Sequence, residues 1–146
     1  MSPANLFAAI LIWLAAHLTA ASASERLPDG SAARFNSGLI RAAWYSSPTG
    51  RYGHGVLGDA IEGGGLTVRL ADGGIVELLL PETEVFEDIT PRLADLDGDG
   101  NAEVVAILSS LQKGGSLAVY GIKSGKPALL AKTPFIGQTR RCLNIA

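Results

Sequence analysis

The chain has 146 residues, a net charge of −2 and 18 glycines. This charge excludes a strongly basic nucleic-acid-binding protein, because such proteins need a large positive charge to bind phosphates. The length is enough for one domain with a modest hydrophobic core. All of the glycines follow residue 23, and their density there indicates many turns and therefore short strands.

The first 23 residues contain 17 apolar residues and no charged one. Their longest apolar run, residues 6–16, is shorter than the roughly 20 residues of a membrane-spanning helix. Ala21 and Ala23 place small side chains where a signal peptidase reads them. We therefore predict a signal peptide over residues 1–23, a mature chain without a transmembrane segment, and a secreted or periplasmic location. A buried N-terminal helix is the alternative, because no Lys or Arg precedes the apolar run.

Short apolar runs bounded by Gly, Pro, Asp or Ser follow a polar segment, residues 24–37, that we predict to be a linker. Residues 66–70 alternate between apolar and polar, which is the period of a half-buried strand. Residues 104–108 are apolar at every position, which is typical of an inner strand. No helical period follows the leader, so we predict an all-β fold. The predicted strands are residues 39–45, 66–70, 75–80, 103–109, 116–122 and 128–132.

The chain also repeats itself. A shift of 51 residues aligns residues 63–80 with residues 114–131, and seven of the 18 aligned positions are identical. Both segments have the same order of hairpin, strand, turn and strand. We therefore predict two antiparallel units of about four strands, each near the ~50-residue period of some propeller blades.

Residues 95–103 form an acidic segment with the spacing of a calcium-binding loop, D-x-D-x-D-G-x-x-E. Calcium binds six to eight oxygens, so alternating carboxylates on a curled backbone can converge on one ion. Between residues 82 and 103 there are eight acids and one base, and this local charge of −7 favours a cation. The predicted ligands are Asp95, Asp97, Asp99, the backbone carbonyl of Asn101, and Glu103.

Two other kinds of loop share part of this acidic pattern. An EF-hand needs a bidentate Glu at position 12 of the loop, and Ala106 occupies that position within a strand-like run, so an EF-hand is excluded. The alternative that stays open is an ordinary Asp-Gly hairpin turn with solvated acids.

The acidic loop and strand of residues 94–105, followed by residues 114–120, resemble a repeat of the FG-GAP/VCBS family. Such repeats are blades of β-propellers, as in integrin α-chains, and their aspartate loops bind calcium. The resemblance implies an incomplete β-propeller of about two four-stranded antiparallel blades and the same ligand positions. Tyr52-Gly53 and Gly58-Asp59 resemble other pieces of the repeat, but no acidic loop follows them, so one calcium site is expected. The implied units are a degenerate blade over 38–84, a blade with the calcium loop over 85–134, and the start of a truncated next blade over 135–146.

These patterns predict an exported, calcium-stabilised β-propeller repeat protein that acts as a binding or scaffold module for a protein or glycan ligand, and a fragment of a longer chain. An exported propeller enzyme, a hydrolase or lyase with its catalytic residues outside this fragment, is the alternative, and a tethered surface protein is a third. No catalytic residue is predicted, because His54 has no recognisable partner in the sequence. Cys142 is the only cysteine and forms no intrachain disulfide. Trp44 and Tyr45 are expected in the core or at its rim, with a sugar-stacking platform as the alternative.

Overall fold

The computed structural model describes residues 25–51, 61–110 and 112–137. These residues form nine β-strands and no helix, so the predicted all-β class is confirmed. The strands are β1 (Ala33–Arg34), β2 (Ile40–Thr49), β3 (Glu62–Leu70), β4 (Ile75–Leu79), β5 (Glu84–Phe86), β6 (Arg92–Ala94), β7 (Glu103–Ser110), β8 (Gly114–Lys123) and β9 (Lys126–Lys132).

All nine strands belong to one open antiparallel sheet. Within it, β1 to β4 pair consecutively as one four-stranded meander, and β6 to β9 pair consecutively as a second. The short strand β5 joins them, because it pairs with β7 along its length and with β3 at Gly63. All six predicted strands are present, and the three that were missed, β1, β5 and β6, have only two or three residues each.

Each meander contributes one apolar face to a shared core. Leu66 and Val68 of β3 and the alternating residues Val104, Ala106 and Leu108 of β7 are all buried in one cluster. The edge strands β4 and β9 also contact each other, as do β2 and β6. The sheet therefore folds back so that its two halves pack against one another.

Phe86 of β5 lies at the centre of this core. Its ring stacks on Tyr45 of β2 with the centroids 4.7 Å apart, and meets the ring of Tyr120 of β8 edge-on at 5.9 Å. All three side chains are buried. Phe86 thus connects the two meanders through aromatic pairs, which add about 0.5–1.5 kcal/mol each beyond the area they bury.

The outward face of the second meander is apolar and partly exposed. β7 is the predicted inner strand, because it pairs with β5, β6 and β8. Its outward residue Ile107 is nevertheless 39% exposed and faces Leu117 of β8, which is 47% exposed. Together with Pro134 and Ile136, these side chains line a shallow cavity of about 420 Å³. The apolar run therefore reflects one buried face and one face that stays accessible.

The segment predicted to be a linker packs along β2 over its described part. Leu27 is only 2% exposed and belongs to the core, and its backbone N–H donates to the carbonyl of Tyr45. Arg26 forms a β-bridge with Ser46, and β1 pairs with β2. One buried leucine and backbone pairing with β2 therefore hold residues 25–37 in place.

The two buried tyrosines give a testable pH dependence. Burial, followed by the carboxylate of Asp88, raises the pKa of Tyr45 well above its ordinary value of 10.0. Burial, followed by the charge of Glu84, raises the pKa of Tyr120 to about 12. An unfolded tyrosine ionises near pH 10, while the buried tyrosine of the folded protein stays neutral. The contribution of the buried, neutral tyrosine to the free energy of unfolding is therefore complete below pH 10 and is lost as the pH rises towards 12.

We therefore expect the melting temperature to fall between about pH 10 and pH 12. The Tyr45→Phe and Tyr120→Phe variants remove the ionisable groups and should each show a shallower fall, measured by circular dichroism during heating. Equal slopes in the wild type and in both variants would show that other groups control alkaline unfolding.

Candidate metal centre

The acidic loop connects β6 to β7. Ala94, the last residue of β6, pairs with Glu103, the first residue of β7, so residues 95–102 form the end of a hairpin. Gly98 and Gly100 have φ angles of +78° and +87°, in the left-handed region that glycine adopts without steric cost. These two glycines allow the backbone to curl between the aspartates.

The carboxylate of Asp95 organises this curl. Its Oδ1 atom accepts hydrogen bonds from the backbone N–H groups of Gly98 (2.8 Å) and Asp99 (3.1 Å), and its Oδ2 atom accepts one from Gly100 (2.9 Å). Asp97 Oδ1 accepts a further bond from the Asp99 N–H at 3.1 Å. The backbone N–H groups therefore offset part of the negative charge and fix the loop shape.

Asp95, Asp97 and Asp99 each offer a carboxylate oxygen, and these oxygens lie within 4.8 Å of one another. Calcium binds oxygen at about 2.3–2.6 Å, so two ligands of one ion are at most roughly 5 Å apart. The three side chains are half-buried or exposed. The donor set and its spacing fit a calcium ion, which the three carboxylates would hold while solvent completes the coordination.

Asp99 is held in its charged form. The backbone N–H of Asn101 donates to Asp99 Oδ1 at 2.7 Å, and the Asn101 side-chain amide donates to Oδ2 at 3.2 Å. These bonds, the backbone one first, lower the pKa of Asp99 below its ordinary value of 3.8. The carboxylate is therefore ionised, and able to bind a cation, throughout the neutral pH range.

Asn101 also ties the loop to the first meander. Its Oδ1 atom accepts a hydrogen bond from the backbone N–H of Leu39 at 2.9 Å, next to the start of β2. Gly38 approaches the loop closely, because an added Cβ would lie 2.6 Å from the carbonyl oxygen of Gly100, and its φ angle is +69°. Only glycine fits this contact without displacing the loop. The ligand predicted at Asn101 is its backbone carbonyl, and that assignment stays a prediction.

Glu103 is placed beside the three aspartates but outside their cluster. The residue is 9% exposed, and its Oε2 atom accepts a hydrogen bond from the backbone N–H of Leu96 at 2.8 Å. Glu103 also lines a cavity of about 270 Å³ together with Asp97 and Asp99, and Lys123 lies in the same lining. The structure thus gives Glu103 a role in holding the loop, and its role as a calcium ligand stays a prediction.

The chain matches no protein-family model, no curated protein and no solved structure. The resemblance to FG-GAP/VCBS repeats therefore rests on the residues quoted above and stays a prediction. Among the described residues, no helix has the length and apolar character needed to span a membrane.

Several sequence predictions fall outside the described residues. They concern the signal peptide, the Tyr52-Gly53 and Gly58-Asp59 pieces, His54 and Cys142.

Trp44 and Tyr45 are described, and as neighbours on a strand they point to opposite faces of the sheet. Tyr45 lies in the core, while Trp44 is 5% exposed on the outward face, where the guanidinium groups of Arg26 and Arg69 lie close to its ring. Trp44 therefore presents no open ring face on which a sugar could stack.

Proposed function

We propose that this protein is an exported, calcium-stabilised β-propeller repeat module that acts by binding or scaffolding a protein or glycan ligand. The observation that carries the proposal is the convergence of Asp95, Asp97 and Asp99 within 4.8 Å at the hairpin between β6 and β7. Calcium is a structural ion in this proposal and takes no part in a reaction.

The arrangement of strands supports the propeller part of the proposal. Each half of the sheet is a four-stranded antiparallel meander, which is the form of a propeller blade. The halves pack through a shared apolar core, as neighbouring blades do. The outward face around Ile107 and Leu117 offers an apolar surface on which a further unit of the same kind could pack.

The proposed role of the ion follows from the charges of the loop. Three carboxylates held within 4.8 Å repel one another, and a divalent cation between them replaces this repulsion with attraction. The loop closes the hairpin that leads into the inner strand β7, so ion binding stabilises the second meander directly. Because the unfolded chain does not hold the three aspartates together, calcium binding adds to the free energy of unfolding.

Calcium is expected to raise the melting temperature, and chelation is expected to lower it. With a Kd in the range of about 10⁻⁴–10⁻³ M that extracellular modules show, about 10 mM calcium contributes roughly 1.4–2.7 kcal/mol. The measurement is thermal unfolding in calcium and in excess EDTA.

Asp97→Ala should remove the difference between calcium and EDTA. Asp72→Ala is the matched control, because Asp72 also lies in a hairpin turn, where it accepts a hydrogen bond from the backbone N–H of Gly74 at 2.8 Å outside the cluster. Asp72→Ala should keep the full response to calcium. Identical melting curves of the wild type in calcium and in EDTA would reject the structural-calcium proposal.

A further inference from the structure

A second possible ligand site lies on the outward face of the first meander, where three arginines meet around Trp44. The guanidinium carbon atoms of Arg26 and Arg69 lie 6.0 Å and 5.8 Å from the centroid of the Trp44 ring. Arg34 of β1 pairs with Ala42 of β2, next to the tryptophan. These side chains surround a cavity of about 280 Å³. Its lining consists of Glu25, Arg26, Ala32, Arg34, Ala42, Trp44 and Arg69.

The three pocket arginines differ from the other described arginines in their hydrogen bonds. Arg41 donates to the carbonyl oxygen of Asn36, Arg51 donates to that of Pro81, and Arg92 pairs with Asp88. Within the described part of the chain, no protein acceptor or carboxylate engages the guanidinium groups of Arg26, Arg34 and Arg69. Their N–H donors therefore face solvent and the cavity.

The nearby acids do not neutralise this group of charges. Glu25 is the single acid in the lining, so the pocket carries three positive charges and one negative charge. Glu77 faces Thr67, which in turn lies opposite Trp44 on the sheet. Its Oε1 atom accepts a hydrogen bond from Ser46 Oγ at 2.9 Å, and Glu77 keeps its charge outside the cavity lining.

The chemistry of guanidinium groups held beside an aromatic ring indicates the class of ligand. A guanidinium over an aromatic ring uses its flat face for the ring and keeps its N–H donors free in its plane. Such a fork matches the two oxygens of a carboxylate, sulfate or phosphate group, and the contact of Arg26 and Arg69 with the ring limits the number of side-chain orientations that must be fixed on binding. A cavity of about 280 Å³ is near the small end of the range of ligand pockets, so it suits one charged group on a carrier the size of a single ring.

We propose that this pocket, formed by Arg26, Arg34 and Arg69 around Trp44, binds the oxyanion group of a small acidic ligand. The inference is independent of the calcium proposal, because no residue of the pocket belongs to the acidic loop. Trp44 is a positioning residue here: it orders Arg26 and Arg69, and the arginines contact the anion.

The test is isothermal titration calorimetry on the full chain at constant ionic strength, with inorganic sulfate, inorganic phosphate, glucuronate and glucose 6-sulfate as separate probes. At least one probe should bind saturably with one-to-one stoichiometry, and higher salt should weaken the binding. Binding of the inorganic ions assigns the pocket to free anions. Binding confined to the two sugar acids assigns it to acidic saccharides.

Arg34→Gln and Arg69→Gln should each weaken the binding about tenfold, because each removes a charged donor from the anion. Arg69→Lys keeps the charge but loses the fork, and should give an intermediate affinity. Arg92→Gln is the matched control, since it makes the same change of charge at an arginine already paired with Asp88.

The absence of saturable binding by all four probes would overturn the proposal. An equal loss of affinity in Arg92→Gln and Arg69→Gln would also overturn it, because only the overall charge would then matter. Arg34 makes no contact with the Trp44 ring of the kind that Arg26 and Arg69 make, so Arg34→Gln decides the question if Arg69→Gln fails to fold.

Discussion

Phe86→Ala is expected to lower the free energy of unfolding by about 3–5 kcal/mol, the usual cost of truncating a buried phenylalanine to alanine. The substitution removes a ring with no solvent exposure that contacts Tyr45 on one side and Tyr120 on the other. Both partners are large and buried, and they belong to different halves of the sheet, so neither can easily collapse into the cavity. Urea denaturation monitored by circular dichroism measures the change.

Two variants test whether the loss of stability depends on the buried position of Phe86 or only on the loss of apolar area. Phe86→Leu retains most of the buried volume, so its cost should be clearly smaller than that of the alanine variant. Leu79→Ala removes an apolar side chain that is 63% exposed at the edge of the sheet, and should change the stability by less than about 0.5 kcal/mol. Similar losses for Phe86→Ala and Leu79→Ala would contradict a core that connects the two meanders.

The sequence predicts the longer strands well, because their signals are local. The alternation of Leu66, Val68 and Leu70 with polar residues predicts β3, and the apolar run of residues 104–108 predicts β7. The short strand β5 has no such pattern, since it contains one charged residue and only two apolar ones. It pairs because Phe86 fits between two tyrosines that are distant along the chain. No short stretch of the sequence indicates such long-range packing.

In the candidate sites, too, the sequence predicts the features that depend on local spacing and does not predict those that depend on long-range contacts. The D-x-D-x-D-G spacing predicts the meeting of Asp95, Asp97 and Asp99, because a tight loop brings alternate residues to one side. The bond from Leu39 to Asn101 joins residues that are far apart in sequence, so the spacing within the loop contains no signal for it. The sequence contains no local signal for the arginine pocket, for a related reason. A polar segment with one leucine predicts a linker, whereas the burial of Leu27 and the pairing of the segment with β2 place Arg26 and Arg34 beside Trp44.

Asp95→Ala is expected to lower the free energy of unfolding by about 2–5 kcal/mol in about 10 mM calcium, and by about 1–2 kcal/mol in EDTA. The smaller loss arises because Asp95 accepts hydrogen bonds from three backbone N–H groups of the loop. Relief of the repulsion from Asp97 and Asp99 offsets part of that loss. The additional loss in calcium is the contribution of the ion. Urea denaturation in both conditions measures the two parts separately.

Two further variants, Asp97→Ala and Asp95→Asn, show which atoms are responsible for the loss of stability in EDTA and which for the additional loss in calcium. Asp97 accepts a single backbone bond, so its alanine variant should lose the calcium response with little loss in EDTA. Asp95→Asn keeps the oxygen that accepts from Gly98 and Asp99 while it removes the charge. It should therefore retain most of the stability measured in EDTA and lose most of the calcium response. If Asp95→Ala and Asp97→Ala lost the same stability in EDTA, the backbone bonds of Asp95 would not be what shapes the loop, and the cation alone would have to gather the three carboxylates.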